Sequence, residues 1–396
     1  MPPSQLKIKK PAILFLSPRA FIGGAQRVLA DYLYGSKLKE KFSFTVLTFE
    51  EGPFSRELGQ AGFKVKVLPG GKTFLQTRRI KNNFWRWPRA LIEALLLFFR
   101  LGRYLQQGNF ALLFSNGIKS HLLAALWGKI LRRPVIIRLH DIISKETFSP
   151  LQRQLVRLIF TYSAEEIIVV SQAVRNSLLH LGVPEEKIKV IYNGIKIPPQ
   201  IRPWPRQKWG LDSQKDLLLG IIGRISFIKG QEEVVRLWPQ ISQTIPAAKL
   251  LIVGSVQKGE ENYLQQLQEL IQQQKMEKKI IFTGFCSNIY RLIKSLDLVI
   301  IPSIKPDPLP TVALEAVALG KYVVATRIGG LPEIIFHPSL GLLYPAGDDD
   351  ALVATIIKAL KERPPFNPQV YRQFQNKFSH RAYLQNLDQI LLKYSG

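Results

Sequence analysis

Two carboxylates and two cations are the residues of this 396-residue chain that are best suited to chemistry. Asp307 lies in a proline-rich loop, and Glu315 follows eight positions later on a short apolar segment. Both carboxylates could accept hydrogen bonds from the hydroxyl groups of sugars. Arg224 and Lys229 flank a second loop, where a guanidinium can bind two phosphate oxygens and an ammonium can act as a mobile point charge. The two acids therefore indicate a site for a compound that contains sugar hydroxyl groups.

Each of these features also has a simpler interpretation. A single loop acid such as Asp307, or a pair of basic residues in a loop, is usually just solvated surface. Glu315 differs because the residues on both sides of it are apolar, in the stretch VALEAVAL. A carboxylate is rarely buried without a partner, so Glu315 is the less ordinary of the two acids.

The elements that must position Asp307 and Glu315 form a strand–loop–helix–strand pattern. The apolar run Leu298–Ile301 predicts a buried strand, and a helix is predicted to begin near Pro310, where proline fits the first turn. Residues 322–325 predict the next strand, so this segment is a βαβ unit of a parallel sheet. Ligands of such sheets bind outside the carboxyl ends of the strands, and the first N–H groups of the helix suit a phosphate.

Two further candidates lie in the first half of the chain, where strand and helix patterns also alternate. Gly23 and Gly24 join an apolar run to a helical pattern, and such a turn lets backbone N–H groups approach a phosphate. The pair is a weak signal alone, since a tight turn also favours glycine. His140 follows the predicted strand Val135–Leu139. A lone histidine there is more often structural than catalytic, although an imidazole can hydrogen-bond a sugar hydroxyl.

The charge of the chain is its strongest compositional feature. Lys and Arg number 55 against 29 Asp and Glu, which gives a net charge of +26. Residues 1–195 contain 30 basic and 12 acidic residues, so the excess is concentrated in the first half. Such a field attracts nucleic acid or an anionic membrane surface, although a solvated basic surface without a specific partner remains an alternative.

Aromatic and basic residues alternate at Phe84, Trp85, Arg86 and Trp87, just before the apolar residues 90–99. Tryptophan beside arginine is typical of a membrane interface, and these four residues are therefore predicted to contact a membrane or an acceptor. The apolar segment is too short to span a bilayer. Its helix has two interpretations, a membrane-surface helix or a core helix of the first domain.

Composition also limits the classes of protein. A single cysteine, Cys286, excludes a disulfide framework and a cysteine zinc site within one chain. No secretory leader pattern and no long apolar run are found, which predicts a cytoplasmic protein, either free or peripheral on the inner face of the membrane. The three aspartates at positions 348–350 precede a helical pattern and are interpreted as helix caps. Neither a metal ion nor a cofactor is therefore predicted.

The stretch DPLPTVALEAVALGKYVVATRIGGLPEII resembles the donor-site segment of the family-4 retaining glycosyltransferases, which have the GT-B fold. Asp307 stands where that family usually has glutamate, and Glu315 occupies its second acidic position. The resemblance extends to GGAQRV at Gly23, to RLHD at His140 and to GRISFIKG at Arg224, and it covers about residues 11 to 390.

The resemblance implies an α/β fold with two Rossmann-like domains that face a cleft. Residues 1–197 would form the acceptor-binding domain and residues 198–375 the nucleotide-sugar-binding domain. Residues 376–396 would form a C-terminal helix that crosses back to pack on the first domain. The proline-rich residues 198–205 are the best linker in the sequence.

The resemblance also implies a role for each candidate residue. Arg224 and Lys229 would bind the donor diphosphate, Asp307 the sugar and Glu315 the ribose of the nucleotide. The transferred sugar would lie near His140. The predicted catalytic residues are therefore His140, Arg224, Lys229 and Asp307. Further donor contacts would come from the backbone around five positions: Gly23, Gly24, Leu309, Pro310 and Thr311.

The implied function is the transfer of a sugar, with retained anomeric configuration, from a nucleotide-sugar to a lipid-linked or saccharide acceptor. The charge adds an anionic membrane surface as a predicted partner, and no nucleic acid is predicted to bind. The alternatives are a GT-B nucleotide-sugar hydrolase or epimerase, and a non-catalytic protein that binds anionic membranes. An NAD-dependent oxidoreductase is disfavoured because no GxGxxG pattern follows a predicted strand.

Overall fold

The computed structural model describes residues 10–21, 23–76, 87–212, 215–256 and 259–395, without the side chains at positions 76 and 87. The chain divides into two compact units. The first consists of Met1–Gly194 together with Arg381–Gly396, and the second of Ile195–His380. Each unit is built on one parallel β-sheet, as the alternating strand and helix patterns predict.

The first unit contains a seven-stranded sheet in the order β3-β2-β1-β4-β5-β6-β7, and every neighbouring pair of strands is parallel. The chain builds outwards from β1 to β3, and then crosses back to build outwards on the other side of β1. The strands are β1 Ala12–Ser17, β2 Ser43–Thr48, β3 Lys64–Val67, β4 Phe110–Ser115, β5 Val135–Leu139, β6 Glu166–Val169 and β7 Ile188–Val190.

Helices cover both faces of this sheet. Phe15 and Phe114 pack with Leu29 of α1 and Leu387 of α15 in one apolar cluster. Ser115 points to the opposite face and contacts α5, because successive side chains of a strand alternate between faces. The helices are α1 Gly24–Gly35, α2 Pro53–Gln60, α3 Lys72–Gln76, α4 Trp87–Gln107, α5 Ile118–Leu131, α6 Pro150–Ser163, α7 Gln172–Leu181 and α15 His380–Ser395.

The last helix, α15, is fixed to the first unit by polar contacts as well as by its apolar side. Asp388 accepts hydrogen bonds of 2.7 Å from the Tyr32 hydroxyl and from the Ser36 hydroxyl. Arg138, fully buried in β5, donates to the Tyr383 hydroxyl and lies over the Tyr383 ring. The sequence predicts a helix over residues 380–392, and the observed helix is three residues longer.

The second unit contains a six-stranded parallel sheet in the order β10-β9-β8-β11-β12-β13. Its strands are β8 Leu217–Ile222, β9 Ala248–Val253, β10 Ile280–Gly284, β11 Leu298–Ile301, β12 Tyr322–Thr326 and β13 Gly341–Tyr344. Its helices are α8 Gln231–Thr244, α9 Glu261–Gln273, α10 Ile289–Ser295, α11 Thr311–Ala318, α12 Leu331–Ile334, α13 Asp349–Lys361 and α14 Pro368–Lys377.

Helix α8 extends beyond its predicted end because tertiary packing overrides a local signal. The sequence predicts a helix over residues 232–238. The next residue is Pro239, which lacks the N–H that a helix interior requires. The observed helix continues to Thr244 with Pro239 inside it. Trp238 and Ile241, on either side of the proline, are fully buried, and this burial offsets the lost hydrogen bond, which costs about 3 kcal/mol.

Candidate active site

Both sheets contain a point at which the strand order reverses, between β1 and β4 in the first sheet and between β8 and β11 in the second. In open parallel sheets the loops after two such strands diverge and leave a crevice at their carboxyl ends. With the exception of Trp87 in α4, the predicted site residues that the structure describes lie after one of these strands or after β5. The topology therefore collects the candidates at one edge of each sheet.

In the second unit, glycine allows the loops after β8 and β11 to approach closely. Gly230 has a left-handed φ of 69°, and a Cβ at this position would lie 1.8 Å from the Pro302 carbonyl oxygen. The Ile304 N–H donates a hydrogen bond of 3.1 Å to the Ile228 carbonyl, so the two loops are joined directly. A side chain at position 230 would separate them.

An ion pair spans this switch point. Lys229 Nζ lies 2.6 Å from Asp307 Oδ2, and the two side chains are 23% and 24% exposed. The structure therefore brings together a cation and a carboxylate that are far apart in sequence. Arg224 lies at the start of the same loop, and its carbonyl accepts a 2.7 Å hydrogen bond from Gln231 Nε2, which fixes the backbone there.

The loop that carries Asp307 is held in place by the loop after β12. The Gly330 N–H donates to the Asp307 carbonyl over 2.9 Å. Gly329 has a φ of 58°, and a Cβ on it would lie 2.2 Å from the Asp307 carbonyl oxygen. Thr326, at the end of β12, donates to the Ser303 carbonyl at 3.0 Å. The backbone of the Asp307 loop is thus fixed by contacts with the end of β12 and with the loop that follows it.

Helix α11 begins at Thr311, directly after this loop, and Pro310 is its N-cap. No cap side chain accepts from its first N–H groups, so they keep their capacity to bind an anion. Leu309 is buried and Thr311 is half-buried. Glu315, one turn further along, is only 7% exposed. Its burial agrees with the expectation drawn from its apolar neighbours.

Of the three aspartates interpreted as helix caps, Asp348 is a cap, whereas Asp349 and Asp350 lie in the first turn of α13. Asp348 is the N-cap of α13, and its carboxylate accepts from the Ala351 N–H over 2.9 Å. Asp349 forms two hydrogen bonds of 2.6 and 2.8 Å with Arg236. Among the described residues, no group of three or more His, Cys, Asp or Glu side chains is arranged to hold a metal ion.

In the first unit, the glycine pair lies at the start of α1. Gly23 is the N-cap and Gly24 the first helical residue. A Cβ on Gly23 would lie 2.9 Å from the Phe21 ring, whereas one on Gly24 would meet nothing within 4 Å. Gln26, the next polar residue of the helix, is buried. Of the two glycines, only Gly23 is restricted by its surroundings.

His140 follows β5 and is held by Asn116, a residue that the sequence reasoning missed. His140 Nε2 lies 2.9 Å from Asn116 Oδ1, and Asn116 Nδ2 donates to the Ala25 carbonyl at 3.4 Å. Because the amide nitrogen faces a carbonyl, its oxygen faces the imidazole, so Nε2 carries the proton and Nδ1 is an acceptor. One signal was available: Asn116 follows β4 directly, just as His140 follows β5.

The environment of His140 keeps its imidazole neutral. Burial, with Arg138 and His121 nearby, holds the pKa of His140 well below its usual range. Beneath it, Ser115 Oγ lies 2.8 Å from His121 Nδ1 and 2.7 Å from Ser120 Oγ. Burial lowers the pKa of His121 to about 3. The two imidazoles at this edge are therefore uncharged at neutral pH.

Two cations at the same edge donate to main-chain carbonyls. Arg19 and Lys119 both donate to the Leu75 carbonyl at the end of α3, the Lys119 bond being 2.7 Å long. Arg19 also lies 3.7 Å from Glu50. Burial and the adjacent Arg19 lower the pKa of Lys119 to about 8, against the opposing effect of Glu50.

Most of the predicted aromatic segment, residues 84–87, lies outside the residues that the structure describes. Phe84, Trp85 and Arg86 lie outside the described residues, and Trp87 is the first residue of α4. The helix itself runs to Gln107, and its apolar content is divided between a buried and an exposed side. No described helix is both long enough and apolar enough to cross a bilayer.

Two family models match the chain, one in each half. The family described as "Glycosyltransferase Family 4" matches residues 54–197, and the family described as "Glycosyl transferases group 1" matches residues 205–383. Together they extend over strands β3 to β13 and over the candidate residues from His140 to Glu315. The chain belongs to the family-4 glycosyltransferases and has their GT-B fold.

Among curated relatives, an uncharacterized glycosyltransferase of Methanocaldococcus jannaschii is 34% identical over 206 residues, which are 48% of this chain and 49% of the relative. N-acetyl-alpha-D-glucosaminyl L-malate synthase of Bacillus anthracis is 27% identical over 202 residues, which are 50% of this chain and 51% of that protein. The chain thus spans about half the length of the curated relatives it matches.

Similarity to solved structures extends over nearly the whole chain. The crystal structure of Anabaena HepE in complex with UDP matches with a TM-score of 0.80 at 26% identity and covers 96% of this chain and 100% of HepE. The HepE complex with UDP-glucose has the same TM-score and identity and covers 96% and 99% of the two chains.

Proposed function

We propose that the protein is a retaining glycosyltransferase. It transfers a sugar from a UDP-sugar to a lipid-linked or saccharide acceptor at the cytoplasmic face of an anionic membrane. The proposal rests mainly on the Lys229–Asp307 ion pair, which joins the two loops at the switch point of the second sheet over 2.6 Å. The choice of uridine is supported by HepE, whose crystal structures contain UDP and UDP-glucose.

In this proposal, Arg224 and Lys229 bind the diphosphate of the donor. Negative charge grows on the diphosphate as the glycosidic bond breaks, and fixed cations stabilise that charge in the transition state. The first N–H groups of α11, which have no side-chain cap, add their positive dipole end. These groups meet the developing charge, so the proposed reaction does not require a divalent metal ion.

Asp307 and Glu315 bind hydroxyl groups, Asp307 those of the sugar and Glu315 those of the ribose. Carboxylates form strong hydrogen bonds with hydroxyls because the acceptor is ionised. The hydrogen bond from Gly330 to the Asp307 carbonyl, 2.9 Å long, supports this assignment because it fixes the loop on which the sugar would rest. Glu315 lies on α11 one turn from the N–H groups proposed to bind the phosphate, and this position supports its assignment.

The proposed chemistry retains the anomeric configuration without an enzyme nucleophile. The bond between the sugar C1 and the phosphate oxygen breaks, and the acceptor hydroxyl oxygen bonds to C1 on the same face of the ring. The leaving phosphate oxygen takes the acceptor proton, so atoms and charge balance. His140, which is neutral and offers Nδ1 as an acceptor, binds a hydroxyl group of a sugar substrate rather than transferring a proton.

The acceptor is assigned to the first unit, whose sequence carries most of the excess positive charge. A positive field concentrates anionic lipids and anionic lipid-linked acceptors near the protein. Residues 84–87 remain a predicted contact for the membrane or the acceptor. Membrane attachment would then place the first unit where a lipid-linked acceptor is found.

The proposal is tested by thermal unfolding in the presence of UDP, GDP and ADP and their glucose conjugates, each with a metal chelator. A ligand that binds only the folded state raises the midpoint by mass action. We expect a shift with UDP and its sugar that disappears in Glu315→Ala and persists in Glu362→Ala, an exposed glutamate. No shift with any nucleotide, or a shift that requires Mg²⁺, would contradict the proposal. Release of free sugar at full rate without an acceptor would favour a hydrolase instead.

A further inference from the structure

Three neighbouring helices on one face of the first sheet expose apolar stripes to the outside. Helix α4 packs on α5 through a stacked pair, Phe98 and Trp127, whose ring centroids are 4.9 Å apart. Helix α5 packs on α6 through His121 and Phe160, at 5.8 Å. The three helices are therefore consecutive members of one layer, and their outer sides form a continuous surface.

The outer side of α4 is apolar although the inner side already fills the core. Leu97, Leu101 and Leu105, spaced by four residues, are buried at 4% exposure or less. A core helix of an ordinary soluble domain would have polar residues opposite this stripe. Instead the opposite side exposes five large apolar residues, with exposures between 48% and 65%: Leu91, Ile92, Leu95, Leu96 and Phe99.

The two neighbouring helices continue this pattern. On α5 the exposed apolar residues recur every fourth position, at Leu122, Leu126 and Ile130. On α6 they follow the same helical spacing, at Leu151, Leu155, Leu158 and Tyr162. Scattered exposed apolar residues are normal, but one aligned stripe on each of three adjacent helices is a contiguous patch of the kind that marks an interaction surface.

The charges around this patch identify its partner. Helices α5 and α6 contain no acidic residue, and α4 contains one, Glu93. That carboxylate is largely buried, accepts a 2.7 Å hydrogen bond from the Phe74 N–H and lies 3.3 Å from Arg89. The same three helices carry seven basic residues, among them Arg100 and Arg103 in exposed positions on α4. The surface is therefore both apolar and cationic.

We infer that the outer surface of α4, α5 and α6 binds an anionic lipid bilayer. Leucine and aromatic side chains can enter the boundary between headgroups and acyl chains, while arginine and lysine extend to lipid phosphates. A 21-residue helix such as α4 is about 30 Å long, which is too extensive for a small ligand. A second copy of this chain is disfavoured as the occupant, because it would bring the exposed cations of both copies together, among them Arg100 and Arg103.

This inference deepens the membrane part of the proposed function and rests on it, but it does not depend on the donor site. It assigns membrane contact to a specific surface and predicts which substitutions abolish it. Only the helical layer of α4, α5 and α6 is then expected to contact the lipid. The helices on the opposite face of the sheet, α1 and α15, are expected to remain in water.

The test is flotation of the full chain with vesicles of phosphatidylcholine alone and of phosphatidylcholine with phosphatidylglycerol. We expect binding only to the anionic vesicles, weakened by salt. Leu95→Ser combined with Phe99→Ser should lower the vesicle partition at least tenfold. The matched control is Phe366→Ser, because Phe366 is as exposed as Phe99 (61% against 65%) but lies in the second unit.

A charge variant tests the cationic part of the surface. Arg100→Glu with Arg103→Glu should also lower the partition at least tenfold, since each basic residue near an anionic surface contributes about a fivefold factor. Arg56→Glu, at an exposed position of α2, is the matched control. UDP binding, measured in the same proteins, should be unchanged in all of these variants.

Other outcomes would separate the surface assignment, membrane attachment and the donor site from one another. Vesicle binding that is equal in the wild type and both surface variants would overturn the surface assignment and leave membrane attachment standing. No binding of the wild type to anionic vesicles would overturn both, while UDP binding would still decide the donor site. A dimer in solution that Leu95→Ser with Phe99→Ser converts to a monomer would show that the surface joins two copies instead.

Discussion

At the switch point of the first sheet, the central polar side chains are Asn116 and His140, joined by a hydrogen bond of 2.9 Å. At the switch point of the second sheet they are Lys229 and Asp307, joined by an ion pair of 2.6 Å. Asn116 is buried and the His140 imidazole is kept neutral, whereas the side chains of Lys229 and Asp307 are each about a quarter exposed and form an ion pair. The same architecture thus carries two different kinds of hydrogen-bonding site.

The difference follows from what surrounds each pair. The cations of the first edge, Arg19 and Lys119, already donate to main-chain carbonyls of α3, so the charge there is partly satisfied by the protein itself. At the second edge a cation is joined to a carboxylate across two loops, and an anionic ligand can replace that carboxylate. The proposed function uses this difference, with a sugar hydroxyl bound at the first edge and a diphosphate at the second, because loops and not strands set the chemistry.

The largest effect is expected from removal of the cations at the second switch point. Arg224→Ala or Lys229→Ala should lower turnover about 100- to 1,000-fold, because each removes a donor aimed at the developing charge of the diphosphate. Initial rates of sugar transfer at saturating donor give the measurement. Arg327→Ala, an exposed arginine of the same unit, is the matched control. Rates within a factor of about three of the wild type would contradict the phosphate role.

A single added methyl group should disturb the close approach of the loops after β8 and β11. Gly230→Ala places a Cβ 1.8 Å from the Pro302 carbonyl oxygen at a φ of 69°, and strain of this kind costs about 1–3 kcal/mol. We expect a lower unfolding free energy and weaker donor binding. Gly24→Ala, at the other switch point, meets no atom within 4 Å and should retain stability. Urea unfolding compares the two, and equal losses would contradict the argument.

A smaller effect is expected when the neutral state of His140 is disturbed. Asn116→Asp puts a carboxylate beside the imidazole, which should raise the pKa of His140 and favour its charged form. Activity should fall about tenfold near pH 6 and recover as the pH rises, since one pH unit changes the neutral fraction at most tenfold. The pH profile of kcat/KM is the measurement. A uniform loss at all pH values would indicate a structural role for Asn116 only.

The smallest effect concerns stability at acidic pH. The native pKa of His121 is about 3, and burial lowers that of His140 in the same direction, whereas an unfolded histidine titrates near pH 6.5. Below about pH 6.5 the unfolded chain binds protons that the native chain does not, so stability falls as pH falls. Each residue contributes at most about 1.4 kcal/mol per pH unit.

Urea unfolding between pH 7.5 and pH 5 measures this dependence. His121→Gln should make the decline of stability with falling pH shallower, whatever its effect on the absolute stability. His180→Gln, at an exposed position, is the control for the substitution itself. A decline as steep in His121→Gln as in the wild type would contradict the assignment.

Most of the fold could be predicted because its signals are local. The strands Val135–Leu139 and Leu298–Ile301 agree with their predicted bounds, since an apolar run between turn residues is a short-range pattern. Ser171 is the N-cap of α7 and its side chain accepts from the Val174 N–H, a role for which serine is typical. The extension of α8 past Pro239 could not be predicted, because it depends on burial against distant strands.

The site could be predicted only in part, for the same physical reason. The identity of Lys229 and Asp307 followed from their type and their motif, but their contact joins positions 78 residues apart, and only the strand order creates it. Asn116 was missed because an asparagine after a strand has many ordinary roles. Helix α4 left two interpretations open because both of its faces are apolar, so periodicity could not tell the buried face from the exposed one.

The central claim is that the second switch point binds the diphosphate of a UDP-sugar. Calorimetric titration of UDP and of uridine, without divalent metal, into the wild type and Lys229→Met tests it most directly. We expect the wild type to bind UDP and Lys229→Met to bind it at least tenfold more weakly, while any binding of uridine is the same in both. Equal affinity of the two proteins for UDP would contradict diphosphate binding by Lys229.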